Sequence, residues 1–312
     1  MPLDAQMKWV LDQLAAAKLP AFHELTPEAA RAQMASRVAK AELAPNVTTV
    51  DRTIPGPNGE IPIRIYTPGG QGPFGALVYY HGGGWVLGNI AMTDLPCRML
   101  AHEARCVVVS VDYRLAPEHK FPAPAEDCYA AVKWLADKAS AVSCDPARIA
   151  VGGSSAGGNL AAAVTLMARD RGGPKLVFQL LIYPATRREL ETASHRQFAT
   201  DGYYILSRAD MEWFWNHYLA NAADAANPYA CPDRAATLKG LPPAFTITAE
   251  FDPLRDEGEA YAARLRENGV TSVLKRYDGV THGFFGMPGQ VDIARRAIAD
   301  AASALRETIG KS

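Results

Sequence analysis

The chain has 312 residues, long enough to bury a large core and to form one large α/β domain or two small ones. With 48% hydrophobic and 21% charged residues it has the composition of an ordinary globular protein. Lys plus Arg number 32 against 33 Asp plus Glu, a net charge of −1, so no positive excess exists to track a phosphate backbone and nucleic acid is excluded as an expected partner.

The opening stretch, MPLDAQMKWVLDQLAAAKLP, places Leu3, Met7, Val10, Leu11 and Leu14 at helical spacing and predicts an amphipathic helix. Asp4 and Asp12 interrupt it, so it does not read as a secretory signal. Nowhere does the chain approach the roughly 20 apolar residues of a membrane span. The cysteines at 97, 106, 128, 144 and 231 are odd in number and scattered, with no CxxC pair. They predict buried thiols in a reducing compartment, hence a cytoplasmic protein.

A second helix is expected from Thr26-Pro27-Glu28, a cap residue followed by Pro at the first helical position. From Val47 the texture changes. VTTVDRTI and IPIRIYT alternate apolar with polar residues around the turn PGPNGE, the pattern of an antiparallel hairpin. Short apolar runs then alternate with helical stretches. Strands are predicted at 76–80, 106–111, 148–153, 178–183, 244–249 and 272–277, and helices at 92–104, 124–138, 156–170, 256–268 and 290–308. This alternation predicts an α/β fold with a mostly parallel central sheet flanked by helices.

Residues 185–240 carry no strand signal and are too long for a simple connection. They read as a helical insertion over the sheet. Its stretch DMEWFWNHYL supplies Trp213, Phe214, Trp215 and Tyr218, aromatics expected mainly to pack a core; Leu206, Trp213 and Phe214 are nominated as substrate-pocket residues. The expected division is a cap formed by about 1–45 and 185–240 on a catalytic core of about 46–184 and 241–312.

The chemistry concentrates in VGGSSAGGNL, 151–160, where the strand RIAVGG runs into a glycine-rich turn and then a helix. G-x-S-x-G in that context is a nucleophile elbow, a sharp strained turn with no room for side chains two residues either side of the serine. Framed on Ser155, both flanking positions are Gly; framed on Ser154, they are Gly152 and Ala156, so Ser155 fits better. A phosphate loop would continue Lys-Ser/Thr, and this one continues Asn159-Leu160.

HGGGWVLG, 81–88, follows the strand at 76–80 and leaves backbone N–H groups approachable. Gly83, Gly84 and Ala156 are the expected oxyanion-hole donors. His81 has no partners at metal-ligand spacing and is expected to anchor the loop by hydrogen bonding. A serine hydroxyl needs a base and the base an orienting acid, in the order Ser, acid, His. His195 and His217 fall in the insertion. His282 follows the strand at 272–277 and is the expected base. Asp252, after the strand at 244–249, is the expected acid, with Glu250 a rival on distance alone and Asp256 placed inside the next helix. Asp112, Arg114 and Glu118 lie in a proline-rich loop and are expected to tie it down.

Together HGGGW, GxSAGGN, DPLRDEG and HGF, with DYRLAPEHKFPA at 112–123, resemble the hormone-sensitive-lipase-like family of α/β-hydrolase carboxylesterases, above all its microbial esterases. The resemblance spans roughly 76–286 and the N-terminal helices. It implies the α/β-hydrolase fold with a helical cap. It implies Ser155 as nucleophile, His282 as base, Asp252 as its partner, and Gly83, Gly84 and Ala156 as oxyanion hole. It further implies esters with short to medium acyl chains as small-molecule substrates, and neither metal nor organic cofactor. A monomer or homodimer is expected. One position departs from the pattern: the residue before the nucleophile is usually Asp in this family and here is Ser154. Two other readings of the same elbow are an amidase, lactonase or deacetylase, whose leaving group the pocket would select, and a non-catalytic ligand receptor, which the complete Ser155, Asp252 and His282 set argues against.

Overall fold

A single sheet of eight strands organises the computed structural model, which describes residues 2–36, 47–199 and 203–310. The strands are β1 (Thr48–Gly56), β2 (Gly59–Thr67), β3 (Phe74–Tyr80), β4 (Val107–Val111), β5 (Cys144–Ser154), β6 (Phe178–Ile182), β7 (Ala244–Phe251) and β8 (Ser272–Thr281), in the spatial order β1-β2-β4-β3-β5-β6-β7-β8. β1 and β2 form an antiparallel hairpin, and β2 is antiparallel to β4. Every pair from β4 across to β8 is parallel.

The alternation of side chains along β3 separates the two faces of the core. Val78 and Tyr80 pack under α4 (Ala123–Lys138), α5 (Ala156–Asp170) and α8 (Arg255–Glu267). Leu77 and Tyr79 pack on the other side, under α3 (Asp94–Ala104) and α9 (Asp292–Thr308). α9 shows why: Ile293, Ala294, Ala297, Ile298, Ala301, Ala302 and Leu305 are buried, a stripe at 3.6-residue periodicity. Each large aliphatic side chain so placed contributes about 1.5–3 kcal/mol by leaving water. The five cysteines are buried as free thiols, and no helix among the described residues is long and apolar enough to cross a membrane.

Several strands run further than the sequence pattern indicates. In the hairpin, Gly56 pairs with Gly59, so the expected six-residue turn shrinks to Pro57-Asn58. Gly59 takes φ +127°, a conformation open to glycine. β7 continues to Phe251 and β8 to Thr281. Their polar ends hide them from a hydrophobicity reading, yet those extensions deliver Asp252 and His282 to the sheet edge.

The N-terminal helices are α1 (Ala5–Ala16) and α2 (Pro27–Ala35). Asp4 caps α1 by accepting from the Gln6 and Met7 N–H groups, and Thr26 caps α2 through the Ala29 N–H. Met7, Val10 and Leu11 are buried, so α1 docks by the predicted face. The stretch 185–240 contains α6 (Ala193–Phe198), α7 (Arg208–Tyr218) and short 3₁₀ turns, with no strand among the described residues. The N-terminal arm meets α7 where the His23 backbone N–H donates to Asp210 Oδ1 at 3.1 Å and the His23 ring nitrogen lies 2.9 Å from the same oxygen. Of the expected cap, residues 1, 37–45 and 200–202 lie outside the described residues.

Candidate active site

The C-terminal ends of β5, β7 and β8 converge on one point. At the end of β5, Ser155 sits at φ +57°, ψ −119°, in the left-handed region that few non-glycine residues adopt. Such strain persists only where the surroundings impose it. Here the Ser155 N–H donates to the Ile182 carbonyl at 2.9 Å, and its own carbonyl accepts from Asn159 N–H at 3.0 Å. The neighbouring glycines explain themselves by contact. A Cβ on Gly153 would lie 2.4 Å from the Gly157 carbonyl oxygen, and one on Gly157 would lie 2.0 Å from that of Tyr80. Any larger residue would push the elbow apart.

His282 directly follows β8, and Asp252 directly follows β7. His282 Nε2 lies 2.9 Å from Ser155 Oγ, and His282 Nδ1 lies 2.8 Å from Asp252 Oδ2. Asp252 is fully buried and His282 nearly so. The other carboxylate oxygen, Asp252 Oδ1, accepts from the Leu254 N–H at 2.8 Å, which fixes its rotamer. The two rivals are engaged elsewhere. Glu250 accepts from the Gly279 N–H, and Asp256 accepts from the Ser194 N–H and pairs with Arg255. His195 lies in α6 bonded to Thr192, and His217 lies in α7 against Trp213.

The HGGGW loop packs directly on the elbow: a Cβ on Gly82 would lie 3.4 Å from the Ser155 Cβ. Gly83 and Gly84 take φ +113° and +59°. Ala156 opens α5, and Ser155 at the N-cap makes no side-chain cap, so it leaves the first-turn N–H groups to other acceptors. His81 anchors the loop as expected. Its Nδ1–H donates to the Gly82 carbonyl at 2.8 Å, its ring stacks on Tyr113 at 4.3 Å, and the Tyr113 hydroxyl donates to the His81 carbonyl at 2.8 Å. Burial drives the His81 imidazole down to about 4, so it is neutral near pH 7.

The three nominated pocket residues part company. Phe214 presses on the loop, since a Cβ on Gly84 would fall 2.1 Å from its ring. Trp213 packs edge-on against Phe214 and His217, and Leu206 is buried in the core. Trp215 and Tyr218 are core residues packed on Trp85 at 4.4 and 4.3 Å. A cavity of about 1100 Å³ opens between the N-terminal arm and the insertion, lined in part by Leu11, Leu14, His195 and Ile205. Neither Ser155 nor any of the three nominated residues is among its lining.

The loop 112–123 is tied from two sides. Arg114 makes a fork to the buried Asp127 at 2.8 and 2.7 Å. Arg31 of α2 makes a second fork to Glu118 at 2.9 and 2.6 Å, while its Nε and Nη2 donate at 2.8 Å to the Val86 and Ala116 carbonyls. Arg31 thus joins the N-terminal arm to the HGGGW loop. Asn159 plays a similar part at the base of α5, donating to the Ala185 and Ala230 carbonyls at 2.8 Å. Arg31 carries no sequence signal beyond its place in a helix, whereas Asn159 closes the GxSAGGN motif, which gives no hint of these two carbonyl partners.

A sequence profile described as alpha/beta hydrolase fold matches residues 77–286. The chain belongs to the α/β-hydrolase family. Within it this hydrolase falls in the hormone-sensitive-lipase-like group. It is 46% identical to carboxylic ester hydrolase LipN of Mycobacterium tuberculosis over 248 residues, which cover 78% of this chain and 65% of LipN. It is 40% identical to carboxylesterase NlhH of the same organism, over 90% of this chain and 89% of NlhH. Among solved structures, a hyperthermophilic esterase from the archaeon Pyrobaculum calidifontis is 44% identical and superposes with a TM-score of 0.94, covering 98% of this chain and 99% of the other.

Proposed function

We propose that this hydrolase is a serine carboxylesterase that cleaves short- to medium-chain acyl esters through an acyl-enzyme, with Ser155 as nucleophile, His282 as general base and Asp252 as orienting acid. The chain is a carboxylic ester hydrolase, as its relatives are. The observation that carries the residue roles is the unbroken hydrogen-bond chain from Asp252 through His282 to Ser155, at 2.8 and 2.9 Å, ending on a strained elbow serine.

The geometry performs the chemistry as follows. Asp252 holds the imidazole with Nδ1 protonated, which leaves Nε2 free to accept. Ser155 Oγ attacks the ester carbonyl carbon while its proton passes to His282 Nε2. The carbonyl oxygen becomes an oxyanion, held by the N–H groups of Gly83, Gly84 and Ala156 at the start of α5. His282 returns the proton to the leaving alkoxide, and an acyl group remains on Ser155. Water, deprotonated by the same imidazole, then attacks the acyl carbon; the bond to Ser155 Oγ breaks, His282 returns the proton to Oγ, and the carboxylic acid leaves. The N-terminal arm and the 185–240 insertion act as a cap on this centre. Phe214 supports the chain-length assignment, because a large ring pressed on Gly84 borders the loop that binds the carbonyl oxygen.

The test is a kcat/KM series on p-nitrophenyl esters from acetate to long acyl chains, with Ser155→Ala as control. A maximum at short or medium chains, lost in the control by several orders of magnitude, is expected. A flat profile that survives Ser155→Ala would overturn both parts of the assignment.

A further inference from the structure

We infer that Ser194, at the start of α6 in the insertion, is a positioning residue for Asp252, so that the insertion holds the triad's acid as well as covering the centre. This deepens the serine-esterase reading and rests on it. Asp252 opens the turn between β7 and α8, which Pro253 and Leu254 complete. Inside that turn the Leu254 N–H donates to Asp252 Oδ1 at 2.8 Å, and the Arg255 N–H donates to the Asp252 carbonyl at 3.1 Å. These bonds set the carboxylate relative to its own turn. They do not set the turn relative to His282. Pro253 has no N–H with which to add a tie, and Leu254, at the N-cap of α8, makes no side-chain cap.

Ser194 supplies the ties from 59 residues before Pro253 in the chain. Its Oγ donates to the Pro253 carbonyl at 2.6 Å and accepts from the Asp256 N–H, in the first turn of α8, at 3.2 Å. Its own N–H, in the first turn of α6, donates to Asp256 Oδ2 at 2.8 Å. The two helix starts therefore cap each other. Each offers a first-turn N–H that its own helix cannot use, and each meets a side-chain oxygen of the other. Ser194 is fully buried, so loss of its hydroxyl leaves the Pro253 carbonyl and the Asp256 N–H short of a partner where bulk water does not reach.

A contact of a different kind seats the same helix on the other side of the acid. Phe198 of α6 packs edge-on against Phe251, the residue before Asp252, with ring centroids 5.5 Å apart. The Arg255 guanidinium lies 5.3 Å from the centre of the Phe198 ring and pairs with Asp256 at 2.9 Å. Thus α6 brackets Asp252, resting on Phe251 before it and on Pro253 after it. The ring contact gives burial without direction, whereas the Ser194 hydrogen bonds fix where the turn points. The 2.8 Å contact of Asp252 Oδ2 with His282 Nδ1 depends on that placement.

The experiment compares Ser194→Ala, Asp252→Asn and the double variant with the wild-type enzyme on the best p-nitrophenyl ester. Active sites are first counted by labelling the serine to completion with an organophosphonate, so that kcat refers to folded enzyme. Removing a triad acid outright costs about 10⁴-fold in kcat. Loosening it through Ser194→Ala is expected to cost about tenfold in kcat per active site, with KM unchanged. On the Asp252→Asn background the same substitution is expected to cost less than about twofold, because the group it positions is already disabled. A merely structural role would multiply the same factor onto both backgrounds. Wild-type kcat in Ser194→Ala, or equal losses on the two backgrounds, would overturn the inference. Should Ser194→Ala not fold, Asp256→Ala, which removes the acceptor of the Ser194 N–H, decides it: a loss of about threefold is expected on the wild-type background and none on Asp252→Asn. No loss on the wild-type background, or equal losses on both, would overturn it. Ser155→Ala separates the two levels. If it stays active, the triad reading falls and this inference with it; if it is dead while Ser194→Ala runs at full rate, only this inference falls.

Discussion

Replacing Arg31 by Met should loosen the HGGGW loop, whose Val86 carbonyl it holds from 55 residues away in sequence. The thioether side chain keeps most of the aliphatic stem but loses every hydrogen bond. The fork to Glu118 counts for little: Glu118 is 53% exposed, and such pairs are worth under about 1 kcal/mol after screening. The bonds to the part-buried Val86 and Ala116 carbonyls count for more, since a charged donor contributes about 1.5 kcal/mol each at the low end of its range. The sum is about 3–4 kcal/mol. For a protein of this size that is a fall of roughly 6–8 °C in Tm. Because Val86 lies two residues beyond Gly84, kcat/KM should fall about tenfold as well. Thermal melts and ester kinetics on Arg31→Met and Glu118→Gln make the test. Glu118→Gln should lose under about 1 kcal/mol and keep its kcat. Equal damage from the two variants would refute the reasoning, because it would make the ion pair, and not the carbonyl bonds, the working contact.

Two further outcomes follow from the same geometry. Gly84→Ala puts a methyl into the Phe214 ring, so kcat/KM should drop about a hundredfold, and adding Phe214→Ala should recover part of it, since the obstruction is a side chain; a double variant no better than Gly84→Ala would refute this. His195 is buried with its imidazole pushed down to about 4, chiefly by desolvation. A base with a depressed folded pKa gives full stability above its unfolded value near 6.5 and loses it as pH falls toward 4. The loss is roughly 3 kcal/mol. Urea unfolding between pH 7 and 4 should therefore fall more steeply for wild type than for His195→Gln, and parallel curves would contradict it.

Much of this molecule is legible in its sequence for a definite reason. The buried parallel strands announce themselves as runs such as CVVVSV, and Gly83, Gly153 and Gly157 are forced by backbone contacts of 2.0–2.4 Å that no other residue tolerates. Strand order is a different matter. The placement of β4 between β2 and β3 is invisible, because a uniformly apolar strand carries no mark of its neighbours. The ends of β7 and β8 are obscured by Glu250 and by Asp278-Gly279, which read as loop. Ser194 carries no mark in the sequence; only its bonds to Pro253 and Asp256 single it out. Arg31 is one polar residue on an amphipathic helix, and its targets are backbone carbonyls, which sequence does not distinguish.

The central claim is that Ser155, and not Ser154, becomes acylated. Rapid mixing of enzyme with a p-nitrophenyl ester, followed by acid quench and mass measurement of the peptide spanning 151–160, tests it directly. A burst of about one nitrophenol per active site, with one acyl group on that peptide in wild type and Ser154→Ala but none in Ser155→Ala, is the predicted result. Acylation that persists in Ser155→Ala and vanishes in Ser154→Ala would contradict it.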